Sequence, residues 1–85
     1  MNIYIIQKYI NKMTKQDVYF YALKKGLTLN DNEVDKTYNY IKNHYKEYFS
    51  GKLTKEQILN DSEEVFTKEN FRKFTNFYNE YKDKI

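Results

Sequence analysis

The stretch FRKFTNFYNEYKDKI (residues 71–85) decides the fold, because its large apolar side chains recur at spacings of three and four. That period is typical of an α-helix that buries one face. The face carries Phe71, Phe74, Tyr78, Tyr81 and Ile85, with Phe77 widening it. Thr67 is a predicted N-cap of this helix, because its hydroxyl can accept a hydrogen bond from a free first-turn amide.

The same order of cap, apolar stripe and polar or glycine stop predicts four helices upstream. They cover roughly residues 2–12, 15–25, 31–49 and 55–66. Capping boxes open three of them: Thr14 with Asp17, Asn30 with Glu33, and Thr54 with Gln57. Asn60, Asp61 and Ser62 are poor helix-interior residues, so the fourth helix is predicted to be short or kinked.

The chain of 85 residues predicts one all-α domain, a compact bundle of about five helices spanning residues 1–85. It contains no proline, and Gly26 and Gly51 are its only glycines. We expect the third and fifth helices to form the central pair. Their mutually buried core residues are predicted to be Ile41, Tyr45, Phe74 and Tyr78, while Leu27 and Leu29 form a short apolar connector.

Composition narrows the classes of function and location. There is no cysteine, which excludes disulfides, thiolate zinc sites and a cysteine nucleophile, and which fits a cytoplasmic protein. The apolar run at Ile5 and Ile6 is broken by Gln7 and Lys8, so no membrane span is predicted. No signal-peptide pattern follows Met1.

Candidate catalytic and metal-binding groups lack the partners that such sites need. His44 is the only histidine, and we expect it to flank the third helix stripe or to be exposed. The carboxylates around Asp31, Glu33 and Asp35, and the pair Glu63–Glu64, are interpreted as helix-capping and solvated groups. We therefore predict no enzyme, and no catalytic, cofactor or metal site.

Charge suggests nucleic acid as one alternative. Residues 1–29 carry Asp17 as their only acidic residue, and their lysines are Lys8, Lys12, Lys15, Lys24 and Lys25. Residues 14–49 resemble a helix-turn-helix, which would let these basic helices contact DNA. Against this, the presumed recognition helix begins with acidic residues, and Arg72 is the only arginine.

Off-stripe aromatic residues favour a different class. Tyr19, Phe20 and Tyr40 lie outside the helix stripes, and exposed aromatic side chains often mark protein interfaces. The leading prediction is a non-enzymatic protein–protein interaction module whose partner is another protein. A homodimer and nucleic-acid binding stay open.

Three stretches resemble the small uncharacterised DUF2624 proteins of Bacillales. They are Asn11-Lys12-Met13-Thr14; a block with Asp17, Val18, Tyr21, Ala22, Gly26, Leu27, Thr28, Leu29 and Glu33; and Val65-Phe66-Thr67. The resemblance covers nearly the whole chain, with residues 51–64 fitting least. It implies a small cytoplasmic helical protein and brings no activity and no functional residue.

Overall fold

The computed structural model describes residues 2–83, with side chains through Glu80, and it is helical. The helices are α1 (Ile3–Lys12), α2 (Lys15–Lys24), α3 (Asp31–Phe49), α4 (Lys55–Val65) and α5 (Lys68–Asp83). The prediction of an all-α five-helix bundle is confirmed. Two members of the C-terminal stripe, the Tyr81 side chain and Ile85, lie outside the described residues.

Local hydrogen bonds begin the helices as the sequence predicts. The three capping boxes form with both reciprocal bonds: Thr14 with Asp17, Asn30 with Glu33, and Thr54 with Gln57. The Thr67 hydroxyl accepts a hydrogen bond from the Asn70 amide at 3.3 Å. Each cap satisfies an amide that has no partner within the helix, and is worth about 1 kcal/mol.

Both glycines end helices in the left-handed conformation. Gly26 has a φ of 90°, and the Leu27 amide donates to the Ala22 carbonyl at 2.9 Å. Gly51 has a φ of 79°, and the Lys52 amide donates to the Glu47 carbonyl at 2.9 Å. These bonds are those of the Schellman motif, which glycine favours because it has no Cβ.

The α4 helix is continuous, where a short or kinked helix was predicted. Its polar interior residues find partners that offset their low helix propensity. The Ser62 hydroxyl donates to the Leu59 carbonyl at 2.7 Å, and the Asp61 carboxylate accepts from the Tyr40 hydroxyl at 2.7 Å. One local bond and one tertiary bond therefore satisfy two of the three polar side chains within the continuous helix.

The most tightly packed core lies around the connector between α2 and α3. Leu27 and Leu29 are each 4% exposed and cluster with Val18 and Val34. An extended segment points residues two apart to the same side, so both leucines enter the core while Thr28 faces outward. The residues predicted only to connect two helices thus form the centre of the core.

The predicted central pair, α3 with α5, does not form. Across residues 2–83, α3 packs against α1, α2 and α4, while α5 packs against α4. The predicted core residues Ile41, Tyr45, Phe74 and Tyr78 are half-buried and line a cavity, and Ile41 and Phe74 also pack against the cluster at the connector. Tyrosine and phenylalanine side chains of α3 and α5, with aliphatic side chains of α4, surround this space.

Candidate functional site

Phe20 is the predicted interface residue that the structure leaves exposed. Its side chain is 49% exposed on α2, although it is large and apolar. Its ring meets the Tyr19 ring edge-on, with centroids 5.4 Å apart. Tyr19 was predicted to be exposed, but it is half-buried and packs against the core. It therefore supports the Phe20 ring and does not face solvent itself.

Phe20 lies in a shallow groove of about 410 Å³, which we call the α2–α3 groove. Its walls are Lys15, Gln16, Tyr19, Phe20, Asp31, Val34 and Asp35. The Lys15 ammonium is 2.9 Å from the Asp35 carboxylate, in a pair that is about half exposed on both sides. Among the described side chains Asp31 has no ion-pair partner. The groove therefore joins an aromatic surface to an unpaired carboxylate.

Tyr40, the third predicted interface residue, is not exposed as expected. It is half-buried, its hydroxyl donates to Asp61, and its ring lies 4.5 Å from the His44 ring. Burial and the neighbouring Asp61 carboxylate raise the pKa of Tyr40 far above its usual range. The cause is tertiary: α4 packs against α3 and covers a second face of that helix.

The lysines of the nucleic-acid alternative lie on α1 and at the two ends of α2. Lys8 and Lys12 are exposed on α1. Lys24 and Lys25 lie at the C-terminal end of α2, where the helix dipole favours positive charge. Lys15 lies at the opposite end, about 13 Å away along the axis, paired with Asp35. The lysines of α2 therefore do not form one continuous basic face.

A buried carboxylate joins the starts of α3 and α5, in a network that we call the Glu33 junction. Glu33 is 2% exposed, and its oxygens accept bonds from the Asn30 amide at 2.9 Å and the Thr67 amide at 2.8 Å. The buried Asn70 amide group donates to both Glu33 oxygens, at 3.0 and 3.1 Å, and to the Thr28 carbonyl at 3.0 Å. One side chain thus caps its own helix and holds another.

These bonds decide the ionisation of Glu33. Burial acts to raise the pKa of the carboxyl, but the donors at Asn30, Thr67 and Asn70 outweigh it, so the pKa of Glu33 is lowered. The sequence predicts the local bond to Asn30 but treats Glu33 as solvated. It gives no signal for partners 34 and 37 residues away. The network is fully bonded, which makes it structural and leaves no free group for catalysis.

The cavity between α3 and α5, here the α3–α5 cavity, has a volume of about 470 Å³. From α3 it is lined by Thr37, Tyr40, Ile41, His44, Tyr45 and Tyr48. Ile58, Ser62 and Val65 face it from α4, and Phe74 and Tyr78 from α5. His44, predicted to flank the stripe, is one of the lining residues. Its Nδ1 atom is buried and lies 3.6 Å from a Glu47 oxygen, too far for a hydrogen bond.

Neither the groove nor the cavity brings together a metal-ligand cluster among the described side chains. Within the described part of the chain, no three or more histidine, cysteine, aspartate or glutamate side chains converge as a metal site requires. His44 stacks on a tyrosine whose hydroxyl is already bonded. The α2–α3 groove and the α3–α5 cavity both offer apolar contact surface with a few hydrogen-bonding groups.

Comparison with protein-family models, curated proteins and solved structures finds no match for this chain. The resemblance to the DUF2624 proteins therefore stays a prediction. Among the residues that the structure describes, none of the helices combines the length and apolar content needed to cross a membrane.

Proposed function

We propose that this chain is a non-enzymatic cytoplasmic interaction module that binds another protein through Phe20 in the α2–α3 groove. The exposed Phe20 ring is the observation that carries the proposal. Interface hot spots are typically aromatic side chains with a polar rim around them. Phe20 fits this description, because Tyr19 supports it and Lys15, Asp31 and Asp35 surround it.

The charges of the groove point to the chemistry of the partner. Asp35 is already paired with Lys15, whereas Asp31 has no ion-pair partner among the described side chains. A partner segment with an apolar side chain against Phe20 and a basic side chain beside Asp31 satisfies both features. Such a charge pair at the rim contributes orientation and association rate more than affinity.

The test begins with capture of the partner and ends with measured affinities. The tagged full chain is incubated with its native cytoplasm, with a nuclease-treated sample in parallel. The captured protein is then purified and titrated against the wild type, Phe20→Ala and Asp31→Lys. We expect Phe20→Ala to raise the dissociation constant by about tenfold or more. Asp31→Lys should also raise the dissociation constant, and the increase should be larger at low salt than at high salt.

Tyr9→Ala is the matched control, because Tyr9 is a more exposed aromatic residue, at 74%, on a different helix. It should leave the affinity unchanged within about twofold, because contacts outside the hot spot contribute little. Equal losses at Phe20 and Tyr9 would contradict the assignment of the groove. Capture that disappears with nuclease would favour the alternative, nucleic-acid binding through Lys8, Lys12, Lys15, Lys24 and Lys25.

A further inference from the structure

The α3–α5 cavity is large enough to hold a small molecule. This cavity measures about 470 Å³, within the range of roughly 300–1,000 Å³ that small-molecule pockets occupy. It shares no lining residue with the α2–α3 groove. It therefore requires an explanation separate from the proposed protein interface.

Two polar atoms of the cavity lining have no hydrogen-bond partner in the described part of the chain. They are the Thr37 hydroxyl oxygen and His44 Nδ1, and both are buried. A buried polar group without a partner is costly, and native structures contain few of them. Thr37 and His44 are seven residues apart on α3, so they lie on one face of the helix about 10 Å apart along its axis. Both atoms have almost no accessible surface in the ligand-free chain, so a bound ligand supplies the missing partner only when the Thr37 or His44 side chain rotates towards it.

The walls and the surrounding charges indicate what kind of ligand fits. Half of the lining side chains are aromatic, which favours stacking with a ring. Among the side chains described through Glu80, no lysine, arginine, aspartate or glutamate lines the cavity. Outside it, the ammonium groups of Lys25, Lys46 and Lys55 lie over lining tyrosine rings, and the carboxylates of Glu47 and Asp61 lie beside His44 and Tyr40. Charges of both signs therefore lie outside the lining, and a charged ligand would lose hydration without a counter-charge in contact with it.

Some of the aromatic lining also reaches the surface. Tyr21, Tyr48 and Phe49 line the cavity, and each of them is also exposed to solvent. An apolar molecule can therefore contact aromatic side chains both at the surface and inside the cavity. We propose that the α3–α5 cavity binds an uncharged, largely apolar ring compound, whose polar group hydrogen-bonds to Thr37 or His44.

The first experiment uses a pair of probes that differ only in charge. N-Phenyl-1-naphthylamine is uncharged, and 1-anilinonaphthalene-8-sulfonate has the same rings plus a sulfonate. We expect one saturable site per chain for the uncharged probe and binding weaker by about tenfold for the sulfonate. Absence of saturable binding of the uncharged probe would overturn the proposal. Equal or tighter binding of the sulfonate would overturn the uncharged class.

The second experiment locates the site in the wild-type chain. Methyl-labelled spectra recorded with N-phenyl-1-naphthylamine should show shifts at Ile41, Ile58 and Val65, which line the cavity, and none at the exposed Ile5 of α1. Shifts confined to residues outside the cavity would contradict the assignment. Because this measurement needs no variant, it decides the location even if a substitution prevents folding.

The third experiment fills the cavity. Val65→Phe places a phenyl ring in the cavity. It should weaken binding of the uncharged probe by about tenfold or more, because the phenyl ring occupies the space that the probe needs. Ile5→Phe is the control, because it introduces the same ring at an exposed position outside the cavity, and it should change binding by less than about twofold. A folded Val65→Phe chain that binds the probe normally would contradict the proposal.

The polar contact has its own test. 1-Naphthol and 1-methylnaphthalene match in shape but differ by a hydroxyl. We expect the wild type to prefer 1-naphthol, and Thr37→Val or His44→Phe to reduce that preference by about threefold to tenfold, the value of one hydrogen bond. If neither substitution changes the preference, the assignment of a hydrogen-bonding role to Thr37 and His44 is wrong.

Discussion

The two sides of α3 differ in how completely they are packed. Towards α2 and the connector, Val18, Leu27, Leu29 and Val34 are nearly inaccessible to solvent. Towards α5, aromatic side chains are half-buried around a cavity of about 470 Å³. Short aliphatic side chains can interdigitate fully, whereas a tyrosine carries a hydroxyl that must reach water or a partner. The comparison shows that aromatic content alone does not close a core.

The difference extends to the polar groups. At the start of α3, next to the packed cluster, the buried Glu33 carboxylate and the Asn70 side chain of α5 satisfy one another and three further groups. On the open side, the Thr37 hydroxyl and His44 Nδ1 are buried without a hydrogen bond in the described chain. Stability therefore resides mainly on the first side, while the second side keeps space and unused hydrogen-bonding capacity. The predictions below test this division.

The largest effect is expected at the connector. Leu29→Ala should lower the free energy of unfolding by about 3–4 kcal/mol, because it removes buried methyl groups and leaves a cavity in a closely packed cluster. Leu23→Ala is the matched control on the exposed side of α2 and should cost less than about 1 kcal/mol. Urea unfolding of the two variants measures both values. Similar losses would mean that the connector is not the centre of the core.

The second effect concerns the Glu33 junction. Glu33→Gln keeps the shape of the side chain but replaces one carboxylate oxygen with an NH2 group. That group cannot accept the hydrogen bonds that the neighbouring N–H groups donate. We expect a loss of about 2 kcal/mol at neutral pH. Glu63→Gln, on the exposed surface of α4, should change stability by less than about 0.5 kcal/mol. An unchanged free energy of unfolding in Glu33→Gln would show that the junction does not need a charged acceptor.

The same pair of proteins has a defined pH dependence. The folded-state pKa of Glu33 lies below its ordinary value of 4.5, so the unfolded state binds more protons between those two values. The stability contributed by Glu33 is therefore present above pH 4.5 and is lost as the pH falls through the lowered pKa. The gap between wild type and Glu33→Gln should be full at pH 7 and should narrow in acid. A gap that widens in acid would reverse the sign of the assigned shift.

These results separate what the sequence predicts from what it cannot. Helix starts and ends depend on residues three or four apart, so the boxes at Thr14, Asn30 and Thr54 and the stop at Gly26 are predictable. The partners of Glu33 are far away in the chain, so only the folded structure reveals them. Tyr40 was placed wrongly because one stripe per helix was assumed, while α3 contacts three other helices.

The third effect is the loss of the N-cap at Thr67, at the start of α5. Thr67→Ala removes the acceptor for the Asn70 amide and should cost about 1 kcal/mol. Aspartate is generally a good N-cap, but here it would place a second negative charge beside the Glu33 carboxylate, which the Thr67 amide binds at 2.8 Å. We therefore expect Thr67→Asp to be less stable than Thr67→Asn, its uncharged match. Equal stability of the two would show that the charges do not interact.

The smallest effect has the opposite sign and lies on the open side. Thr37→Val replaces a buried hydroxyl that has no hydrogen-bond partner in the described chain with a methyl group of similar shape. Removing an unsatisfied polar group should raise the free energy of unfolding of the ligand-free chain by between about 0.5 and 1 kcal/mol. Thr75→Val is the matched control, because the Thr75 hydroxyl is also buried without a partner but does not line the cavity. Both variants should gain stability in urea unfolding, but only Thr37→Val should alter the preference for 1-naphthol. A loss of stability at Thr37 would mean that its hydroxyl is hydrated, and that water already occupies the polar part of the cavity.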